Sequence, residues 1–242
     1  MRKDSPFPIA YLLPNFFTAA SIFTGFYSIS LALESHYVSA AWFIFLALIF
    51  DGLDGRVARL TNTTSHFGVE FDSLADVVAF GVAPALLLYL YVGHEYGRIG
   101  IVVSALFIIF GAVRLARFNV TTARIEPSVF IGLPIPTAAI MVSIGILLLE
   151  HYSAIVSLKI GLLPLAVALS ILMVSNIRYP SFKKINFKTF HFVRFLTLVI
   201  VLAMGVFVYP IEGMALLAAG YLLYGPLRAG YYLIRKLFSQ RG

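Results

Sequence analysis

Residues 51–76 read DGLDGRVARLTNTTSHFGVEFDSLAD, and they join two long apolar runs. Asp51 and Asp54 stand at i, i+3, and Asp72 and Asp76 at i, i+4, so on helices each pair projects from one face. The flanking runs, near 38–60 and 68–92, are each long enough to cross a bilayer as a helix. The connection between them, about Thr61 to Phe67, is short enough to make the two helices antiparallel neighbours. Four carboxylates then converge on one small volume near a membrane surface. A carboxylate at membrane depth costs about 2.5–3.5 kcal/mol by insertion scales, and such a residue is functional by default. Five of the chain's 11 acidic residues fall in this stretch; the fifth, Glu70, is turned away from Asp72 by helical phase and is expected on the rim.

Four converging aspartates cannot all stay ionised without counter-charge, so either protons stay bound or cations occupy the site. Arg56 and Arg59 are too few to neutralise four acids, and buried ion pairs stabilise poorly. The chain has no cysteine, and His66 is the only nearby imidazole. Oxygen-only ligands suit a hard divalent cation: Mg²⁺, Mn²⁺ or Ca²⁺. A cluster of this size can hold two ions bridged by shared carboxylates, an arrangement used in phosphoryl chemistry. Gly55, directly after Asp54, suits a backbone approached by a ligand. Gly68 serves equally as a glycine for close helix packing. Arg59, one turn beyond Gly55, either reaches a phosphate or snorkels to the interface.

Farther out, six more apolar stretches lie near 12–33, 98–118, 131–150, 154–176, 190–209 and 212–234, making eight expected spans. With 60% hydrophobic and 12% charged residues, the chain cannot cover a water-soluble surface, which ordinarily takes about 25% charged residues. The first stretch is too long for the apolar region of a signal peptide and lacks a small-residue cleavage site, so it is expected to be retained. The connecting segments are all short, which implies a single membrane domain over residues 1–242. With the N-terminus in the cytoplasm and eight alternating spans, 16 of the 18 Lys and Arg residues fall on the cytoplasmic side; only Arg98 and Lys159 do not. That bias fixes the orientation, with both termini and the aspartates cytoplasmic. It also assigns the net charge of +7 to lipid headgroups rather than to nucleic acid. The glycosylation patterns at Asn62 and Asn119 fall on that same side and are discarded.

The pattern Asp51, Asp54, Gly55, Ala58, Arg59, Gly68, Asp72, Asp76 resembles the defining motif of the CDP-alcohol phosphotransferases, with every position filled. The resemblance implies an all-α membrane fold with a six-helix catalytic core over about 10–176 and two additional helices within 190–236. It implies that Asp51, Asp54 and Asp72 hold a divalent metal, and that Asp76 completes a second metal position and is the general base. Gly55, Ala58 and Arg59 would line the nucleotide pocket, with Gly68 beside them. Pro14, Asn15 and Thr18 resemble a Pro-Asn-x-x-Thr segment of the same pocket, although a proline-capped helix start also explains Pro14. A homodimer is implied as well.

Within the family, Arg114-Leu-Ala-Arg117-Phe-Asn119 and the segment Phe130 to Thr137 resemble the membrane-embedded branch that uses L-serine as acceptor and CDP-diacylglycerol as donor. Arg114 and Arg117, i and i+3 on one face, can bind a diphosphate or a serine carboxylate. They serve equally as anchors to headgroups, and Asn119 serves equally as a helix C-cap. Pro134 and Pro136 keep the next helix from starting early. The last two helices are assigned packing roles. Competing readings keep the chemistry with glycerol 3-phosphate or inositol phosphate as acceptor, or make the aspartates the site of a divalent-cation transporter. A nonenzymatic lipid-binding subunit would not need four converging carboxylates.

Overall fold

The computed structural model describes residues 8–121, 129–180 and 192–239. Arg2, Lys3, Arg124, Lys183, Lys184, Lys188 and Arg241, which entered the orientation argument, lie outside the described residues. Helix α1 (Pro8–Leu33) and α2 (Tyr37–Leu60) form an antiparallel pair, followed by α3 (His66–Asp76) and α4 (Ala83–Tyr91). After a short 3₁₀ turn come α5 (Arg98–Thr121), strand β1 (Val129–Ile131) and α6 (Ile135–His151). A second 3₁₀ segment, Ser153–Gly161, leads into α7 (Leu162–Val174), strand β2 (Arg178–Pro180), α8 (Phe192–Val208) and α9 (Pro210–Ser239).

Among the described residues, five continuous helical segments are long and apolar enough to cross a membrane: Leu12–Leu33, Tyr37–Leu60, His66–Tyr91, Arg98–Thr121 and Ser153–Val174. The sequence pattern predicts eight. Of the other three, α6 and α8, at 17 residues each, are shorter than the usual spanning length of about 20, and α9, at 30, is long enough but carries Glu212, Arg228, Arg235 and Lys236. The span His66–Tyr91 is not one uniform α-helix, because Val77–Val82 winds as a π-helix. The expected helix start at 131 also moves. Gly132 takes φ +79° and Pro134 is extended, so residues 129–131 pair instead with 178–180 as a two-stranded antiparallel ribbon. Proline at the first turn then starts α6 at Ile135, since its missing N–H costs nothing there.

Small residues set the spacing around the site. A Cβ on Gly25 would lie 2.7 Å from the Ala79 Cα, so only glycine lets α1 approach the π-helical segment. Ala40, Ala41 and Ala47 are fully buried on α2. Ser28 donates to the Ala40 carbonyl at 2.7 Å, and Ser21 to the Ala47 carbonyl at 3.3 Å, tying α1 to α2 inside the apolar layer. Phe80, Leu87, Phe107, Ile135, Ile146 and Leu169 fill the interior. Leu12, Phe16, Phe23, Ile101 and Ile109 point outward, the disposition of side chains that meet lipid rather than water.

Candidate active site

Helix α2 ends at Leu60, where the Thr61 hydroxyl donates to the Val57 carbonyl at 2.8 Å and Asn62 takes φ +53°. Asparagine tolerates that left-handed conformation better than most residues. Ser65 then caps α3, its hydroxyl accepting the Gly68 N–H at 3.0 Å. The turn reverses the chain so that the two aspartate pairs converge, although α3 packs mainly on α1 rather than beside α2 as the short connection led one to expect. Carboxylate oxygens of Asp51, Asp72 and Asp76 all lie within 4.8 Å of one another. Asp76 is 9% exposed, and Oδ1 of Asp72 and Oδ1 of Asp76 are buried without a hydrogen-bond partner. Orphaned carboxylate oxygens at membrane depth call for a partner. Three convergent oxygen donors fit a hard divalent cation.

Asp54 stands slightly apart. It is 6% exposed, adjoins Asp72, and accepts a hydrogen bond from the Thr18 hydroxyl at 2.7 Å. The tightest carboxylate group is therefore Asp51, Asp72 and Asp76, whereas the motif resemblance put Asp51, Asp54 and Asp72 around the first ion. Among the described residues, none of the four aspartates forms a salt bridge with Arg56 or Arg59.

A cleft of about 330 Å³ opens beside the cluster. Pro14, Asn15 and Thr18 form one wall, and Asp54, Gly55, Ala58 and Arg59 another. Gly68, Asp72 and Asn119 complete it, so every residue that the sequence assigned to the nucleotide lines one space. Pro14 does not start a helix, as the simpler account of it held. Helix α1 begins at Pro8, which places Pro14 inside the helix, where its carbonyl accepts the Thr18 hydroxyl at 3.3 Å. The Arg59 guanidinium folds back over Gly55, its Nη1 being 3.5 Å from where a Cβ would stand. On Gly68, a Cβ would press to 3.2 Å from the capping Ser65 hydroxyl and meet Asn15 at 3.8 Å.

The two arginines of α5 part company. The Arg117 guanidinium donates to the carbonyls of Ile131, Met173, Val174 and Ser175, and to Asn176 Oδ1, at 2.9–3.5 Å. It closes the C-terminal end of α7 and is committed to the backbone. Arg114 is 5% exposed and lies over the faces of Phe118 and Phe130, at 5.2 and 5.9 Å from the ring centroids. Its Nε has no hydrogen-bond partner, and the guanidinium is within electrostatic reach of Asp76. Asn119 is not the C-cap, since α5 continues to Thr121. Its amide donates to the Ser73 hydroxyl at 3.0 Å and to Glu70 at 3.4 Å, fastening α5 to α3 at the cleft rim.

Sequence reasoning missed Thr63, Thr64, Ser65, Val69 and Phe118, all of which line the cleft. The position of Thr63 and Thr64 in the short turn between the aspartate pairs was the available signal.

Fold and site together define an all-α integral membrane protein with an acidic centre that can bind a divalent metal, set beside a ligand-sized cleft. The family model described as CDP-alcohol phosphatidyltransferase matches residues 11–174, and the chain belongs to that family. A CDP-diacylglycerol–serine O-phosphatidyltransferase of Helicobacter pylori is 51% identical over 231 residues, covering 95% of this chain and 96% of that protein. A protein of the same description from Methanocaldococcus jannaschii is 39% identical over 170 residues, 70% of this chain and 74% of its own length. An archaetidylserine synthase of Methanothermobacter thermautotrophicus is 37% identical over 182 residues, 74% of each chain.

If Arg59 holds a phosphate of the donor, Arg59→Ala raises the donor KM about tenfold or more, the usual loss with one charge-assisted hydrogen bond. Initial rates at saturating acceptor measure it, and an unchanged KM returns Arg59 to the interface.

Proposed function

We infer that the protein transfers the phosphatidyl group of CDP-diacylglycerol to the hydroxyl of L-serine and releases CMP. The observation that carries this reading is the carboxylate group of Asp51, Asp72 and Asp76 beside a cleft that gathers every nucleotide-motif residue. The relatives' serine phosphatidyltransferase activity supports the choice of acceptor.

Asp51, Asp72 and Asp76, with Asp54 alongside, would hold Mg²⁺ or Mn²⁺, in the two-ion arrangement that the motif implies. Bound there, the metal would offset the charge of the diphosphate and of the departing CMP. Asp76 accepts the proton of the serine hydroxyl as its oxygen bonds to the β-phosphorus of the donor. The bond from that phosphorus to the CMP oxygen breaks in the same displacement, and no enzyme nucleophile intervenes. Asn15, Thr18, Gly55, Ala58 and Arg59 seat the nucleotide. The acceptor carboxylate meets Arg114, a buried cation with a free Nε, rather than Arg117, whose donors are spent on carbonyls. The concentration of Lys and Arg on one side of the spans supports a cytoplasmic site, with both termini on that face. The homodimer is part of the same proposal, and the mass of the purified protein corrected for bound detergent tests it.

CMP release by the purified protein with Mg²⁺ or Mn²⁺ is the deciding assay, comparing serine with glycerol 3-phosphate and inositol phosphate. Serine-dependent release, abolished by EDTA, is expected; release with another acceptor alone overturns the serine assignment. Arg114→Lys, which keeps charge but not the planar fork, is expected to raise the serine KM about tenfold while the donor KM changes less than about twofold. An unaltered serine KM would leave Arg114 as counter-charge to Asp76 only.

A further inference from the structure

Arg114, the buried cation assigned to the acceptor carboxylate, is bounded by two ring faces, Phe118 on its own helix and Phe130 on β1. Phe118 is fixed by α5. Phe130 sits in the middle of a three-residue strand, and the ribbon to which it belongs has two strands. A two-stranded pair is marginally stable by itself, so its position comes from what packs on it. Arg117 reaches the ribbon at a single carbonyl, that of Ile131. A second hold comes from α9. Phe130 stands directly opposite Tyr179 of β2, so their side chains leave the same face of the ribbon. Tyr179 is fully buried.

Helix α9 contains a seat for that side chain. Pro226 stands inside the helix and has no N–H, which leaves the Leu222 carbonyl, four residues earlier, without its helical donor. The Tyr179 hydroxyl supplies one at 3.4 Å. Gly225 leaves the space, because a Cβ there would run into the Tyr179 ring. The Tyr221 ring stacks on that of Tyr179 at 5.5 Å, and its hydroxyl donates to the Pro180 carbonyl at 3.3 Å. Tyr221 is also within electrostatic reach of Arg114. Two hydrogen bonds running in opposite directions and a ring stack thus latch β2 to α9. The family match ends at residue 174, so both sides of the latch lie beyond it.

We propose that Tyr179 and Tyr221 are positioning residues for the acceptor: through the ribbon they set Phe130 against Arg114, and so fix where the guanidinium meets the serine carboxylate. The proposal rests on Arg114 meeting that carboxylate, as inferred above. A guanidinium binds a carboxylate through a rigid planar fork, so a small displacement of the ring that bounds it misaligns the pair. The donor is spared, because no residue of β1, β2 or α9 lines the nucleotide cleft. Helix α9 then belongs to the acceptor site without any of its residues touching serine.

Tyr179→Phe keeps the ring stack and removes the donor to Leu222. In CMP release by the full chain in mixed micelles, it is expected to raise the serine KM about fivefold, the usual loss with one neutral hydrogen bond. Both kcat and the KM for CDP-diacylglycerol are expected to stay within about twofold of wild type. A lower thermal midpoint with an unchanged serine KM overturns the proposal, as does an equal rise in both KM values. Pro226→Ala, added to Tyr179→Phe, returns a helical N–H to the Leu222 carbonyl. The thermal midpoint is then expected to recover while the serine KM stays raised. Recovery of both reduces Tyr179 to a cap for α9 and overturns the proposal. Should Tyr179→Phe not fold, Tyr221→Phe, which loses the bond to Pro180 and keeps the ring, is read in the same way. The Arg114→Lys protein separates this proposal from the reading beneath it. A raised serine KM with Arg114→Lys but not with Tyr179→Phe removes the latch and keeps Arg114 at the acceptor, whereas no rise with either removes both.

Discussion

Asp76→Asn is expected to lower serine-dependent CMP release about a thousandfold or more, within the range for loss of a general base. Asparagine keeps the shape of the side chain but cannot take the serine proton. The choice of Asp76 among four carboxylates follows the motif resemblance. Its buried Oδ1, like that of Asp72, has no hydrogen-bond partner, and the residue ends α3 where the helix widens into the π-helical segment. A π-turn shifts the helical phase of the residues beyond it, and such turns are frequent at functional sites. Here Asp76 stays with Asp51 and Asp72 while Ala79, Phe80 and Ala83 enter the core. Donor binding should survive, since the nucleotide cleft is lined by other residues. Equilibrium binding of CDP-diacylglycerol to the variant checks that half. Recovery of near-full rate at high Mn²⁺ would reduce Asp76 to a ligand, and retention of roughly a tenth of the rate without added metal would remove it as base.

The carboxylates were legible because two spacings, i, i+3 and i, i+4, carry their own geometry and a short turn joins them. The nucleotide wall was legible from the motif. What the sequence did not disclose depends on partners far along the chain. The Thr18 to Asp54 hydrogen bond spans 36 positions, and the contact of Arg114 with Phe130 joins a helix to a strand of three residues. The ribbon itself was hidden, because Phe130 and Ile131 extend the apolar run of α6 until Gly132 and Pro134 interrupt it. The place of Tyr221 in α9 was hidden for the same reason. Nothing in the apolar pattern of α9 distinguishes Tyr221, which acquires its place only through Tyr179 and Pro180.

Arg117 shows the same limit with a larger expected consequence. From sequence it is the twin of Arg114, yet Arg117→Ala is expected to act on stability rather than on the acceptor. Its guanidinium supplies donors to the last carbonyls of α7, which have no partners within their own helix, and to Ile131 in β1. Gly132 makes room for this arrangement: a Cβ there would lie 2.7 Å from Arg117 Nη2 and 2.2 Å from the Met173 carbonyl oxygen. Alanine would leave several part-buried carbonyls without a donor, at a cost of about 3 kcal/mol. For a chain of this size, that corresponds to a fall of ~6–12 °C in the thermal midpoint in detergent. Lysine, a point charge without the planar fork, should recover only part of it. The serine KM of the folded Arg117→Ala protein should stay within about twofold of wild type, in contrast to Arg114→Lys. A normal midpoint together with a tenfold rise in serine KM would reverse the two assignments and put Arg117 at the acceptor.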